Sequence, residues 1–220
     1  CAGFPCQNLS SSGGKKGIRG DQSSLVNEVF RLLEIQRAPW VMIENVRFML
    51  HLHKGMAMGH IISKLEDLGY RWAYRVLNSR YFGVPQRRHR VFIVASTVGN
   101  PWDVLFPDEE ETPLEPAPCL TVPVGFYWTE GTYATGIAAN AIPPLKGGST
   151  IGIPSPPAIL FPDGRAATPD IKDAERLQGF PANWTKEVEQ SHKASIRWKL
   201  VGNAVTVNVV EWLAQKLKNP

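Results

Sequence analysis

Trp40-Val41-Met42-Ile43-Glu44-Asn45-Val46 is the stretch from which the rest of the chain is best read. Four apolar residues in succession are too few for an ordinary helix and read as a buried strand. A strand without polar alternation is covered on both faces, as in a parallel sheet between helical layers. Glu44 and Asn45 follow at its carboxyl end, where open α/β sheets place their sites. Alone, Glu44 reads equally well as a carboxylate starting a helix.

The flanks agree with this reading. Upstream, Ser23 and Ser24 are placed to cap a helix with Leu25, Val29 and Leu33 on one face, ending before Pro39. Downstream, Ile61, Ile62, Leu65 and Leu68 mark a second helix, with Gly69 placed to stop it. Arg71 to Asn78 and Arg90 to Ser96 read as two more strands. Strands separated by helices imply an α/β fold with a mainly parallel sheet. Farther on the pattern changes, because thirteen of the eighteen prolines lie between Pro101 and Pro169. Glycines are dense there too and no helical period appears, which leaves a loop-rich small domain or an extended binding surface. Helical character returns at Lys172 to Gln178. A last helix, about Ala204 to Leu217, carries Val205, Val209, Trp212 and Leu213 in a stripe. The expected organisation is therefore 1–96, an α/β domain; 97–170, a separate region; and 171–220, a return to the first domain.

A net charge of +4 with pI near 9.0 suits a polyanionic partner without proving one. Cys1, Cys6 and Cys119 form no paired framework and no CxxC or His/Cys cluster. Neither disulfides nor a metal site is expected, and a reducing compartment is. No apolar run reaches the length of a membrane span. The chain opens on Cys1-Ala2-Gly3-Phe4-Pro5-Cys6, the tail of a strand entering a loop, with no initiating Met; the expectation is a chain cut at this point.

Three segments carry chemistry. In Gly3-Phe4-Pro5-Cys6-Gln7-Asn8-Leu9-Ser10, a cysteine after proline at a strand end is placed as an exposed nucleophile. A lone cysteine there is more often a buried loop residue. The residues beyond it argue otherwise: Ser10, Ser12, Gly13, Gly14, Lys15, Lys16, Gly17 and Arg19 make a polar, basic, flexible run suited to closing over a phosphate backbone. The second segment is Glu44-Asn45-Val46. The third is Tyr81 to Arg90, ending Gln86-Arg87-Arg88-His89-Arg90, in which Arg88 and Arg90 alternate and would point the same way along an extended chain. A basic cluster alone is as readily a solvated face.

Together these segments resemble the DNA cytosine-5 methyltransferase family. Pro-Cys-Gln, Glu-Asn-Val and Gln-x-Arg-x-Arg stand in the family's order and at compatible separations. So do Arg176-Leu177-Gln178-Gly179-Phe180-Pro181 and Gly202-Asn203-Ala204-Val205. The resemblance implies a Rossmann-like, S-adenosylmethionine-dependent methyltransferase fold with a small, loop- and β-rich target-recognition domain at 97–170.

It also implies a reaction on double-stranded DNA. The Cys6 thiolate attacks carbon 6 of a flipped-out cytosine. Glu44 hydrogen-bonds the ring nitrogen, Arg90 holds the ring carbonyl oxygen, and Arg88 is its neighbour in the site. Carbon 5 then accepts the methyl group, and water removes its proton. Ser10 matches a phosphate-contacting position, and Lys15 and Lys16 extend that basic run. Gln7 and Ser12 lie where the loop would fill the space left by the base. Pro5, Asn203 and Val205 match the walls around cytosine and methyl donor. The family's glycine-rich turn and ribose-binding acid precede the cysteine motif, so roughly 60 to 80 residues at ~30 per βαβ unit are expected from an amino-terminal segment or subunit. Expected too are a bacterial, cytoplasmic setting and a role in restriction-modification. The alternatives are an inactive DNA-binding remnant, one subunit of a split enzyme, and an RNA cytosine methyltransferase.

Overall fold

The continuous apolar run at 40–43 becomes the centre of a four-stranded sheet in a computed structural model of the chain. The structure describes residues 1–4, 25–107, 117, 119–127, 136–146, 157–193 and 195–218. They fall into two compact units: 1–77, 89–110 and 213–220 in the first, 78–88 and 111–212 in the second.

In the first unit the strands are β1 (Ala2–Gly3), β2 (Trp40–Val46), β3 (Arg71–Asn78) and β4 (His89–Ser96), in the order β1-β2-β4-β3. β1 runs parallel to β2, with Gly3 opposite Glu44. β4 runs antiparallel to β2, from Trp40 opposite Ser96 to Val46 opposite Arg90. The expected mainly parallel sheet is corrected here. Ten residues, 79–88, separate β3 from β4, and no crossover helix stands among them to return the chain in a parallel sense.

Two helices cover one sheet face. From α1 (Leu25–Ile35) come Val26, Phe30 and Leu33, and from α2 (Met56–Asp67) come Ala57, Ile61 and Leu65. They pack with Val41, Ile43, Val91, Ile93 and Ala95 of β2 and β4. The spacing is the helical period, and in α1 Leu33 is buried as expected, but Val26 and Phe30 take the inward places expected of Leu25, 47% exposed, and Val29, half-buried. The proposed caps Ser23 and Ser24 lie outside the described residues. α2 stops where predicted. Gly69 takes φ +77°, its N–H donates to Glu66 O, and Tyr70 N–H donates to Leu65 O, the paired bonds of a Schellman end. Truncating a fully buried side chain in this core, such as Ile43→Ala, would cost about 2–5 kcal/mol. A short helix α3 (Pro101–Leu105) packs beside β4.

The second unit gives the proline-rich region a sheet of its own. β5 (Val124–Phe126), β6 (Ile137–Ala139), β7 (Ala158–Leu160) and β8 (Ala166–Ala167) pair antiparallel in the order β6-β5-β7-β8. α4 (Ile171–Leu177) starts in a capping box between Asp170 and Asp173 and ends at Gly179, φ +87°. α5 (Ser195–Asn203) follows, then α6 (Val207–Lys218), through which the division between units runs. The last helix therefore begins at Val207 and not near Ala204. Gly202-Asn203 ends α5, and Ala204 to Thr206 connect the two helices.

Contacts also group residues differently from the expected boundaries. Residues 78–88 and 171–212 belong with the second unit. The reason is a buried polar weld. Gln86, with no exposed surface, donates to Leu177 O at 2.8 Å and Gln178 Oε1 at 2.7 Å, and its own Oε1 accepts from Leu145 N–H at 3.2 Å. An amide left unsatisfied there would cost about 1–3 kcal/mol, so the segments carrying its partners are held to it.

Candidate functional site

Within the first unit the register of the sheet builds the centre. Glu44 is opposite Phe92 and Arg90 is opposite Val46, so Glu44 and Arg90 are diagonal neighbours on one face of the β2–β4 pair. That is the face turned away from α1 and α2, since Ile43 and Val91 point to the helices. A diagonal separation is within reach of long side chains, and Arg90 Nε lies 3.1 Å from Glu44 Oε1. Both side chains are mostly covered, at 17% and 18% exposure. Arg90 Nη1 also donates to its neighbour's carbonyl, His89 O, at 2.8 Å. On the other edge of β2, the strand leading to the cysteine motif is registered at the same level. A β-carbon built on Gly3 would stand 3.7 Å from Glu44 Oε2. Asn45 is buried, and its Oδ1 accepts from Val46 N–H at 2.8 Å, which fixes the backbone just past Glu44.

The expected nucleophile and its loop cannot be placed against this pair. Pro5, Cys6, Gln7, Ser10, Ser12, Lys15 and Lys16 lie outside the described residues. Of the other cysteines, Cys119 is exposed, with Sγ 3.0 Å from Thr121 Oγ1. Hydrogen bonding to the Thr121 hydroxyl, and then to backbone, holds that thiol below its ordinary range.

Arg88 and Arg90 take different partners. β4 begins at His89, so Arg88 precedes the strand and the two-residue alternation does not extend to it. In the second unit Arg88 is 2% exposed, and its Nη1 and Nη2 donate to the carbonyls of Gly202 and Ala204. Asn203, between those carbonyls, turns an exposed side chain outward, and Val205 is half-buried. An amide that can both donate and accept, beside an apolar side chain, fits a ligand with polar and apolar faces.

The signature Arg176 to Pro181 is legible in the sequence, yet it assigns no task to Gln178 or to the adjoining Glu175. Glu175 is a buried carboxylate that organises the loop after α4. It accepts from Asn183 N–H, from Thr185 N–H and Oγ1, and from Arg197 Nη2 at 2.9 Å. Burial alone would push its pKa up. The hydrogen bonds from Thr185 and Arg197, with those of the Thr185 and Asn183 N–H groups, pull it down to about 2. Lys146 Nζ sits 4.1 Å over the Tyr127 ring, and burial lowers its pKa. Among the described residues, no group of His, Cys, Asp and Glu could hold a metal ion, and no helix is long and apolar enough to cross a membrane.

Comparison with known proteins gives these motifs a context. The family profile described as C-5 cytosine-specific DNA methylase matches residues 1–123 and 165–219. Type II methyltransferase M2.BsuMI of Bacillus subtilis (strain 168) is 48% identical over 231 aligned residues, covering 100% of this chain. The chain spans 59% of that relative's length. Type II methyltransferase M.NlaX of Neisseria lactamica is 28% identical, over 99% of this chain and 74% of its own. Among solved structures, S. pombe Dnmt2 methyltransferase superposes with a TM-score of 0.62 at 17% identity, over 98% of this chain and 76% of its own. The Entamoeba histolytica methyltransferase EhMeth gives 0.66 at 15%, over 98% and 75%. Likeness at that identity speaks for the fold alone, which is the methyltransferase α/β fold.

Proposed function

Because this chain belongs to the C-5 cytosine-specific DNA methylase family, we propose that it supplies the catalytic centre for methylating carbon 5 of cytosine in double-stranded DNA. The observation that carries this reading is the Glu44–Arg90 pair at the carboxyl end of β2, level with the strand that leads to Cys6.

The chemistry starts from what cytosine lacks. Its carbon 5 is a weak nucleophile. Attack of the Cys6 thiolate forms a sulfur–carbon bond at carbon 6 and moves the ring's 5,6 electron pair toward carbon 5. Glu44 stabilises the charge reaching the ring by donating a hydrogen bond, in its protonated form, to the ring nitrogen. Arg90, already beside Glu44, turns its guanidinium to the ring carbonyl oxygen. S-adenosylmethionine, when bound, would supply an electrophilic methyl group to carbon 5, its sulfonium sulfur leaving as the thioether of S-adenosylhomocysteine. Asn203 and Val205 would hold it, with Pro5 beside the base. Water takes the proton from carbon 5, the 5,6 double bond re-forms and the Cys6 thiolate departs. A base stacked in a duplex cannot meet these groups, so the target must be flipped out. Gln7 and Ser12 would fill its place, and Ser10, Lys15 and Lys16 would hold backbone phosphates. Residues 97–170, with the sheet β6-β5-β7-β8, would read the target sequence. The names of the Type II relatives support a place in restriction-modification.

The test uses the full natural protein with a methyl-labelled donor, offered duplex DNA and, separately, RNA. Nuclease digestion should release label only as 5-methyl-2′-deoxycytidine. Label appearing only in RNA, or on another base, would refute the proposal.

A further inference from the structure

The carbonyls on either side of Asn203 are both taken by buried side chains from distant parts of the second unit. Arg88 Nη1 donates to Gly202 O at 3.2 Å and Nη2 to Ala204 O at 2.8 Å. Gln178 Nε2 donates to the same Ala204 O. Neither donor is at the surface: Arg88 is 2% exposed and Gln178 is 0%. Gln178 is itself held twice more, its Oε1 by Gln86 Nε2 and its main-chain carbonyl by Val207 N–H at 3.1 Å. Just past the turn, the hydroxyls of Ser79 and Thr206 meet at 2.7 Å. Gly179, next to Gln178, lets the chain pass so close that an added β-carbon would stand 2.3 Å from Asn208 Oδ1.

The carbonyls at the end of a helix need partners, and water supplies them at the surface at little cost. Burying a guanidinium instead carries a desolvation cost of several kcal/mol. What that arrangement achieves is to fix the backbone on each side of one residue, Asn203, whose own side chain is exposed. A contact residue held this way meets its ligand without first losing conformational freedom.

We propose that Arg88 and Gln178 are positioning residues that hold Asn203 in one orientation toward the methyl donor. The idea rests on the proposed function, in which Asn203 contacts the donor. It assigns Arg88 to the backbone beside that residue, in place of a seat next to Arg90 in the catalytic site.

The test compares wild type, Asn203→Ala, Gln178→Met and the double variant Gln178→Met/Asn203→Ala in the full natural protein. Titration calorimetry with S-adenosylmethionine gives donor Kd, and initial rates on duplex DNA give KM and kcat. Gln178→Met should raise donor Kd and KM roughly five- to tenfold, the scale of one lost hydrogen bond. Turnover at saturating donor should stay within about twofold of wild type, since uniform binding alone is lost. The double variant should bind no more weakly than Asn203→Ala, because the amide acts through Asn203. Additive losses, or a fall in kcat with donor KM unchanged, would reduce Gln178 to a structural residue and overturn the proposal. If Gln178→Met is recovered unfolded, Arg88→Lys, alone and with Asn203→Ala, is read by donor Kd, since it keeps the buried cation but loses the two-pronged grip. An Asn203→Ala variant that binds donor as wild type does would also overturn it. Failure of wild type to methylate DNA would refute the functional reading itself, a result separate from these.

Discussion

Glu44–Arg90 and Glu175–Arg197 are the same chemical pair in two different settings. In the second unit, Glu175 and Arg197 are 0% and 4% exposed, and each is surrounded by partners. Thr185 bonds to both, Asn183 N–H caps the carboxylate, and Glu189 Oε1 takes Arg197 Nη1 at 2.6 Å. In the first unit, Glu44 and Arg90 face each other at a strand end with part of each side chain still open to solvent. A pair enclosed and saturated in this way acts as a strut. A pair that keeps some exposure beside the strand leading to a nucleophile can exchange partners when a base arrives. Burial and place in the fold, not residue type, separate the two tasks.

The comparison fails most visibly if the first pair proves structural. Glu44→Gln keeps shape and loses the acid. Methyl transfer should fall by roughly 10²- to 10⁴-fold, the usual scale for a general acid, with a nearly unchanged melting temperature. A variant that melts well below wild type yet turns over normally when folded would reverse the assignment. The second pair should behave in the opposite way. Arg197→Met strands a buried carboxylate and should cost about 3–5 kcal/mol in urea unfolding, while the protein that remains folded keeps its turnover. A loss under about 1 kcal/mol, the range of an exposed pair, would show that the strut carries no load.

Acid provides a finer probe. Glu175 is held near pKa 2 in the folded protein, below the roughly 4.3 of an unfolded glutamate. A depressed carboxylate contributes stability that is present above the unfolded value and is lost as pH falls from about 4.3 toward 2. The urea midpoint should drop over that window, and part of the drop should vanish in Glu175→Gln. Identical pH slopes for the two proteins would contradict the hydrogen-bonded carboxylate. The smallest expected effect belongs to Cys119→Ser. Cys119 is exposed and touches Thr121, so stability should move by no more than about 0.5 kcal/mol and methylation should persist.

The two units also differ in how far their sequence could be read. β2, α2 and β4 carry apolar runs or periods with clear stops, and they stand where those patterns place them. α1 was legible as a helix with Leu33 inward, but its first turns were not in phase, since Leu25 and Val26 are equally apolar and only packing chooses between them. The antiparallel insertion of β4 depends on the missing crossover helix between β3 and β4, which periodicity does not report. α5 escaped because its inward face carries Arg197 and Gly202 along with Val201, so no apolar stripe marks it. At the site, the motifs singled out Glu44 and Arg90. That they meet follows from the pairing of β2 with β4, which the sequence does not spell out. The tasks of Gln86, Gln178 and Glu175 depend on partners up to 92 residues away, and no local pattern announces such partners.

The central claim is that Cys6 attacks the cytosine ring, and a mechanism-based adduct tests it most directly. Duplex DNA carrying 5-fluorocytosine at the target, incubated with the full natural protein and S-adenosylmethionine, has no proton to release from carbon 5 and should trap the enzyme covalently. Peptide mapping of the trapped complex should place the linkage on Cys6, and Cys6→Ser should abolish it. An adduct on Cys119, or sustained turnover by Cys6→Ser, would contradict the account.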